Sequence, residues 1–188
     1  MTPDFQFVLV DGDEVIAEGN CIPVVGQPAH WRDAFLAAFE RDGDPDRVCA
    51  LAILVSPEQQ GRGLSVTMLE HMRGLAAPFG GLVAPVRPTL KHRYPLIPIE
   101  EYAGWRRADG THFDPWIRTH ERLGAKLIGP AEEAMLVEGS AEQWLEWTGL
   151  ELRADGDYVV PGALVPVHVE DGHGVYREPC VWLRHEVT

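Results

Sequence analysis

The sequence predicts an α/β fold with a mixed, mostly antiparallel sheet and flanking helices, and three stretches predict it. Residues 50–55 form an unbroken apolar run, Ala-Leu-Ala-Ile-Leu-Val; a polar turn and Gly61-Arg62-Gly63 follow, and then a helical stripe through Leu64, Met68, Met72 and Leu75. That order is strand, glycine turn, helix. Residues 82–86 supply a second apolar run, and right-handed crossover places it parallel to the first. Asp11-Gly12 between two apolar runs signals a tight antiparallel hairpin.

From the N-terminus, residues 5–10 and 14–22 read as the hairpin strands, and residues 23–27 as loop. Residues 29–41 carry Trp31, Ala34, Phe35, Ala38 and Phe39 at helical spacing, and Asp42-Gly43-Asp44-Pro45 ends that helix. Residues 47–55 are the central strand, whose continuous apolar character predicts burial on both faces. The helix after the glycine turn places Leu69 and Ala76 beside its stripe and stops at Pro78-Phe79-Gly80-Gly81.

Residues 87–111 are long and irregular. A segment of this length is either functional or a surface loop tucked down by Tyr94, Leu96, Ile97, Tyr102 and Trp105. Asp114-Pro115 is a helix start, N-cap then proline, and Gly124 is the C-cap after Leu123. Residues 126–129 and 134–138 read as antiparallel strands around a Gly129-Pro130 turn. Residues 141–148 form a short helix anchored by Trp144, Leu145 and Trp147. Residues 158–169 and 174–185 alternate as a strand pair around residues 170–173.

The chain has 188 residues, 45% of them hydrophobic, enough for one domain with a proper core. A formal net charge of −13 disfavours nucleic acid, whose phosphates need Lys and Arg, and weakly favours a cationic substrate. The three cysteines are odd in number and widely spaced, which suits reduced thiols. There is no signal peptide and no run of eighteen apolar residues, so the expectation is a soluble cytoplasmic protein with no membrane partner.

The first turn of a helix presents backbone N–H groups without intrahelical partners, and glycines let an anion approach them. The Walker pattern is absent, and Gly61-Arg62-Gly63 lacks the third glycine of a dinucleotide fingerprint. Gln60-x-x-Gly63-x-Ser65 does match something. It resembles the Q/R-x-x-G-x-G/A pyrophosphate loop of the GNAT N-acetyltransferase superfamily, with Ser65 where that family has Gly or Ala. His120-Glu-Arg-Leu-Gly-Ala125 resembles the family's second segment, Tyr-x-x-Leu-Gly-Phe. The resemblance covers about three quarters of the chain. It divides the chain into a GNAT-like acyl-CoA-binding core, residues 1–140, and a tail, residues 141–188, that completes or roofs it. It also implies that the two parallel strands splay apart. Only four residues precede the first strand, where the family usually carries a strand and two helices, so the chain resembles an N-terminally short member. The helix over residues 29–41 would then stand in for part of the acceptor wall.

The resemblance implies acetyl-CoA as cofactor, held by Gln60, Gly61, Arg62, Gly63, Leu64 and Ser65. Backbone groups of Ile53, Leu54 and Val55 would pair with the pantetheine arm. It places His120 where many members keep the tyrosine that protonates the departing thiolate. Trp116, Ile117 and Leu123, at i−4, i−3 and i+3, turn His120 toward the sheet, and imidazole titrates near neutral pH. Thr89 lies just beyond a strand end expected to face the thioester.

The expected function is direct transfer of an acyl group to an amine of a small molecule or peptide. The central strand carries no acid to serve as base. The alternatives are acyl-CoA chemistry on a non-amine acceptor, by S-acyl transfer or decarboxylation, and non-catalytic acyl-CoA binding. The tail could extend the sheet, roof the acceptor groove or form a homodimer surface. No metal site is expected: His112, Asp114, His120, His168, His173 and His185 are metal-capable types, but HExxH and paired cysteines are absent, and Asp114 is better spent as a cap. GxSxG is absent too.

Overall fold

A computed structural model of the chain describes residues 3–36 and 43–186. They divide into two compact units. The first takes the described residues of Met1–Pro85, Thr119–Ile128 and Trp182–Thr188, and the second takes Val86–Arg118 and Gly129–Val181. Strands β5 (Lys126–Ser140) and β8 (His173–His185) and helix α4 (Pro115–Arg122) contribute to both.

In the first unit, β1 (Gln6–Asp11) and β2 (Glu14–Val24) form the expected hairpin, closed at Asp11↔Glu14. Gly12, at φ +61°, supplies the left-handed turn residue. β2 pairs antiparallel with β3 (Arg47–Val55), and β3 pairs parallel with β4 (Leu82–Val86). The strand order is β1-β2-β3-β4-β8. The crossover is helix α2 (Leu64–Ala76), which buries Met68, Leu69, Met72 and Ala76. Full burial of a Leu or Met side chain contributes about 1.5–3 kcal/mol, so this stripe is what fixes the helix on its sheet. Gly81, at φ +126°, starts β4 so close to β8 that a Cβ there would lie 2.6 Å from the His185 carbonyl oxygen.

The second unit is richer in structure than the sequence suggests. Residues 87–111 hold a 3₁₀ turn (Lys91–Arg93) and helix α3 (Ile99–Ala103). Tyr94, Tyr102, Trp105 and Phe113 form one aromatic cluster, with centroids 4.9 Å apart for Tyr94–Trp105. Lys91 is fully buried and donates to the carbonyls of Tyr94 (2.9 Å) and Leu164 (2.7 Å). Of the expected anchors, Tyr102 is buried, but Leu96 is 74% exposed; Ile99 is buried instead. Helix α4 (Pro115–Arg122) starts where Asp114 Oδ1 accepts from the Trp116 and Ile117 amides, and Gly124, at φ +86°, ends it. Helix α5 (Ala141–Thr148) has a full capping box between Ser140 and Gln143. Trp144 packs with Leu152, Val160, Val167, Val169 and Tyr176.

Several expectations are corrected. The helix expected over residues 29–41 is α1 (Trp31–Leu36) in the described residues; Ala38 and Phe39 lie outside them. β3 is not buried on both faces: only Val48 and Cys49 are buried, and Leu54 is 56% exposed. The reason is that β4 pairs with it only at Val48 and Cys49. No turn forms at Gly129-Pro130; β5 runs straight through, because proline's fixed φ also suits an extended edge. The strand expected over residues 158–169 is two short ones, β6 (Gly156–Tyr158) and β7 (Val167–Glu170), separated at Pro161-Gly162, where Gly162 has φ +84°. In the expected hairpin of β7 and β8 the tight turn is Asp171-Gly172, both at positive φ. Leu145 and Trp147 are 43% and 49% exposed and do not anchor α5; Trp144 alone of the three does.

Candidate acyl-transfer site

The glycine turn forms as the glycine pattern demands. Gly61 and Gly63 have φ +78° and +79°, a left-handed backbone that L side chains adopt only with strain. Gly63 is the N-cap of α2 and has no side-chain cap; its carbonyl accepts from Val66 (2.9 Å) and Thr67 (3.3 Å). The Leu64 and Ser65 amides belong to the first turn, which has no intrahelical acceptor for them. A Cβ on either glycine would meet nothing within 4 Å, so the surface above the loop is open. Gln60 and Arg62 are exposed, and the Arg62 guanidinium donates to Gln59 Oε1.

β3 leads into this loop. Its Ala17↔Val55, Glu18↔Leu54 and Gly19↔Ile53 pairings occupy one edge, while pairing with β4 ends at Cys49↔Val83. The parallel strands therefore fork after Cys49. The backbone of Ile53, Leu54 and Val55 lies beyond that fork, and an extended arm could pair there as a further strand. Within the fork, Asn20 faces Ala52 and Cys21 faces Ala50, so Leu51 is an extra residue, a β-bulge. The Trp31 indole N–H donates to the Leu51 carbonyl at 3.0 Å. Nothing in the spacing of the sequence signals this bulge or its contact. A donor set of backbone N–H groups, an open glycine loop and a strand segment that β4 leaves open on one edge fits an acyl-CoA.

His120 is 2% exposed in the first unit, with its Nδ1 3.0 Å from His185 Nε2. The expectation of titration near neutral pH is corrected. Burial, then the neighbouring His185, lowers the His120 pKa to about 3. Burial, then Arg73, lowers that of His185 to about 4, against a raising hydrogen bond with the Leu123 backbone. Both rings are neutral at pH 7. The pair spans 65 positions of sequence, so no local pattern predicts it. Thr89 belongs to the second unit and is exposed; its carbonyl lies 3.0 Å from His92 Nδ1.

Two of the rival metal-capable groups, His112 and Asp114, have other partners. His112 Nδ1 accepts from the Asp114 amide, and its Nε2 lies 3.0 Å from the Ala103 carbonyl. Asp114 caps α4 and also accepts from the Tyr102 hydroxyl at 2.8 Å. Among the described residues no three His, Cys, Asp or Glu side chains cluster to hold a metal. All three cysteines are buried, and burial pushes Cys21 and Cys180 up to about 12. Neither of these two offers a thiolate to carry an acyl group. Among the described residues no helix is long and apolar enough to cross a membrane.

No family model matches the chain. It is 31% identical to the arginine N-acetyltransferase avaD of Aspergillus versicolor over 207 aligned positions, covering 93% of this chain and 71% of that protein. Among solved structures it resembles the loading GNATL domain of CurA from Lyngbya majuscula, with a TM-score of 0.65 and 17% identity over 99% of this chain and 78% of that one. It also resembles the GphF GNAT-like decarboxylase, solved in complex with isobutyryl-CoA, with a TM-score of 0.61 and 16% identity over 99% and 80% of the two chains. The two structures share the fold, and the relative shares sequence along nearly the whole chain. The chain belongs to the GNAT N-acetyltransferase superfamily and is an acyltransferase of the GNAT type.

Proposed function

We propose that the protein transfers the acetyl group of acetyl-CoA to a nitrogen of arginine or of a small arginine-like molecule in the cytoplasm. The observation that carries this reading is the extent of the likeness to an arginine N-acetyltransferase, 31% identity across 93% of the chain. The net charge of −13 supports a cationic acceptor, and three widely spaced, buried cysteines support a reducing compartment. Residues 1–140 carry the chemistry in this reading and residues 141–188 complete it.

The geometry supports the following division of labour. Gly61, Gly63 and the amides of Leu64 and Ser65 receive the pyrophosphate, with Gln60 and Arg62 at the rim. Ile53, Leu54 and Val55 hold the pantetheine arm by backbone hydrogen bonds. The acceptor nitrogen attacks the thioester carbon directly; the N–C bond forms, the C–S bond breaks, and the proton lost by the nitrogen ends on the CoA sulfur. A neutral His120 serves by a ring N–H hydrogen bond to the departing sulfur, since at a pKa of about 3 it holds no extra proton to give.

The test is thiol release from acetyl-CoA with arginine, agmatine, ornithine, citrulline and a dipeptide carrying arginine, with the product located by tandem mass spectrometry. Turnover favouring the guanidino compounds is expected. Thiol release without any acylated product, or loss of carbon dioxide from malonyl-CoA instead, overturns the reading.

A further inference from the structure

We infer that Trp31 is a positioning residue for acyl transfer: its indole N–H sets the Leu51 bulge of β3, and so the backbone that meets the thioester. The inference rests on the proposal that acyl-CoA lies along β3. Three observations on that strand converge. Pairing with β4 ends at Cys49, so the gap between the parallel strands opens at Ala50. Leu51 is the one residue of β3 skipped by the β2 register. The segment proposed to hold the pantetheine arm, Ile53 to Val55, starts two residues later and leads to the glycine loop.

An arm entering from the loop and running back along β3 reaches the bulge after about 13 Å, at about 3.3 Å per residue over four residues. Its thioester end therefore falls at the bulge. A bulge re-aims the peptide groups on either side of it, and its own carbonyl has lost its ladder partner. Here a side chain replaces that partner: Trp31 donates to Leu51 O at 3.0 Å. The indole is held in turn by Phe35, one helical turn along α1, with the rings 9° from parallel and centroids 6.0 Å apart. Trp31 is half-buried, as is its bond to Leu51, so water competes for that carbonyl only from one side. A carbonyl fixed by one donor fixes the plane of the Leu51–Ala52 peptide and so the shape of the bulge, which aims the neighbouring peptide groups that face the gap. A fixed backbone N–H at the thioester carbonyl stabilises the charge that develops on it during attack.

The experiment compares wild type, Trp31→Phe and Trp31→Ala. Trp31→Phe keeps a ring to stack on Phe35 and removes only the donor. Affinity for CoA by calorimetry and the melting temperature are expected to stay near wild type, while kcat falls about tenfold, the equivalent of one hydrogen bond in the transition state. Amide exchange at residues 50–53 is expected to quicken. Trp31→Ala is expected to lower both kcat and stability. If Trp31→Phe turns over like wild type, or if its loss of rate follows its loss of stability as in Trp31→Ala, Trp31 only packs and the inference is overturned. If instead the wild-type protein binds no CoA, the acyl-CoA reading itself fails, and that is read before any variant is made.

Discussion

At Gly63 a single dihedral connects sequence to chemistry. With φ +79° and nothing within 4 Å of where a Cβ would stand, the residue is glycine for conformation and for access at once. Gly63→Val is expected to abolish binding of acetyl-CoA in calorimetry and to cost about 1–2 kcal/mol for the left-handed conformation. Gly110→Val is the control, since Gly110 has φ +80° and equally open surroundings but lies outside the loop. It is expected to cost as much stability and leave binding intact; equal loss of affinity in both variants would remove the loop assignment. His120 carries a second prediction. Its folded pKa of about 3 and that of His185, about 4, lie below the ordinary histidine value of 6.5. The unfolded chain therefore takes up protons that the folded chain refuses. Stability is complete above about pH 6.5 and is lost as pH falls toward 4 and 3, with up to about two protons driving the slope. Urea unfolding at a series of pH values checks this, and His120→Phe is expected to flatten the slope. The same variant is expected to keep CoA affinity and lose roughly 10²-fold in kcat, as for a removed donor to developing charge. Unchanged turnover would leave His120 a core residue.

Local chemistry decides which elements the sequence makes legible. The Asp11-Gly12 hairpin, the α2 stripe, the Asp114 cap with Pro115 and the Gly124 stop all fall where their residues predict, because each signal acts over at most one turn or two strands. The failures share the opposite cause. Gly129-Pro130 has turn composition, yet β5 continues because its pairing with β8 decides the backbone. Lys91 looks like a solvated charge until carbonyls of Tyr94 and Leu164 receive it, the latter 73 positions away. At the candidate site the glycine loop is legible and the His185 partner and Leu51 bulge are not, since each depends on long-range register. The α5 cap gives a direct check on the local kind of signal. Ser140 Oγ accepts from the Gln143 amide and Gln143 Oε1 accepts from the Ser140 amide. Ser140→Ala is expected to cost about 1 kcal/mol. In a chain of this length that lowers the melting temperature by about 2–4 °C, read by calorimetry, and acyl transfer is expected to be unaffected.

Across the whole molecule, the two units differ in how much of their order a ligand could supply. Residues 86–118 are already tied down by the aromatic cluster, by buried Lys91 and by Asp114, which accepts from the Leu90 amide, the Tyr102 hydroxyl and two α4 amides. The net contribution of each such bond is only about 0.5–1.5 kcal/mol, but leaving any of these buried groups without its partner costs about 1–3 kcal/mol, so the segment opens as a unit or not at all. The loop at residues 60–65 is different. It is exposed, holds two strained-region glycines and has no side-chain cap on its helix. Amide hydrogen exchange is therefore expected to show residues 86–118 protected in the protein alone, and residues 60–65 and the open-edge amides of Ile53 and Val55 exchanging fast until acetyl-CoA is added. Addition of arginine is then expected to extend protection to residues 31–36, where Trp31 and Phe35 stand beside the β3 bulge. Slow exchange at residues 60–65 without ligand, unchanged on addition of acetyl-CoA, would mean that the loop is a structural turn and that the acyl-CoA binds elsewhere.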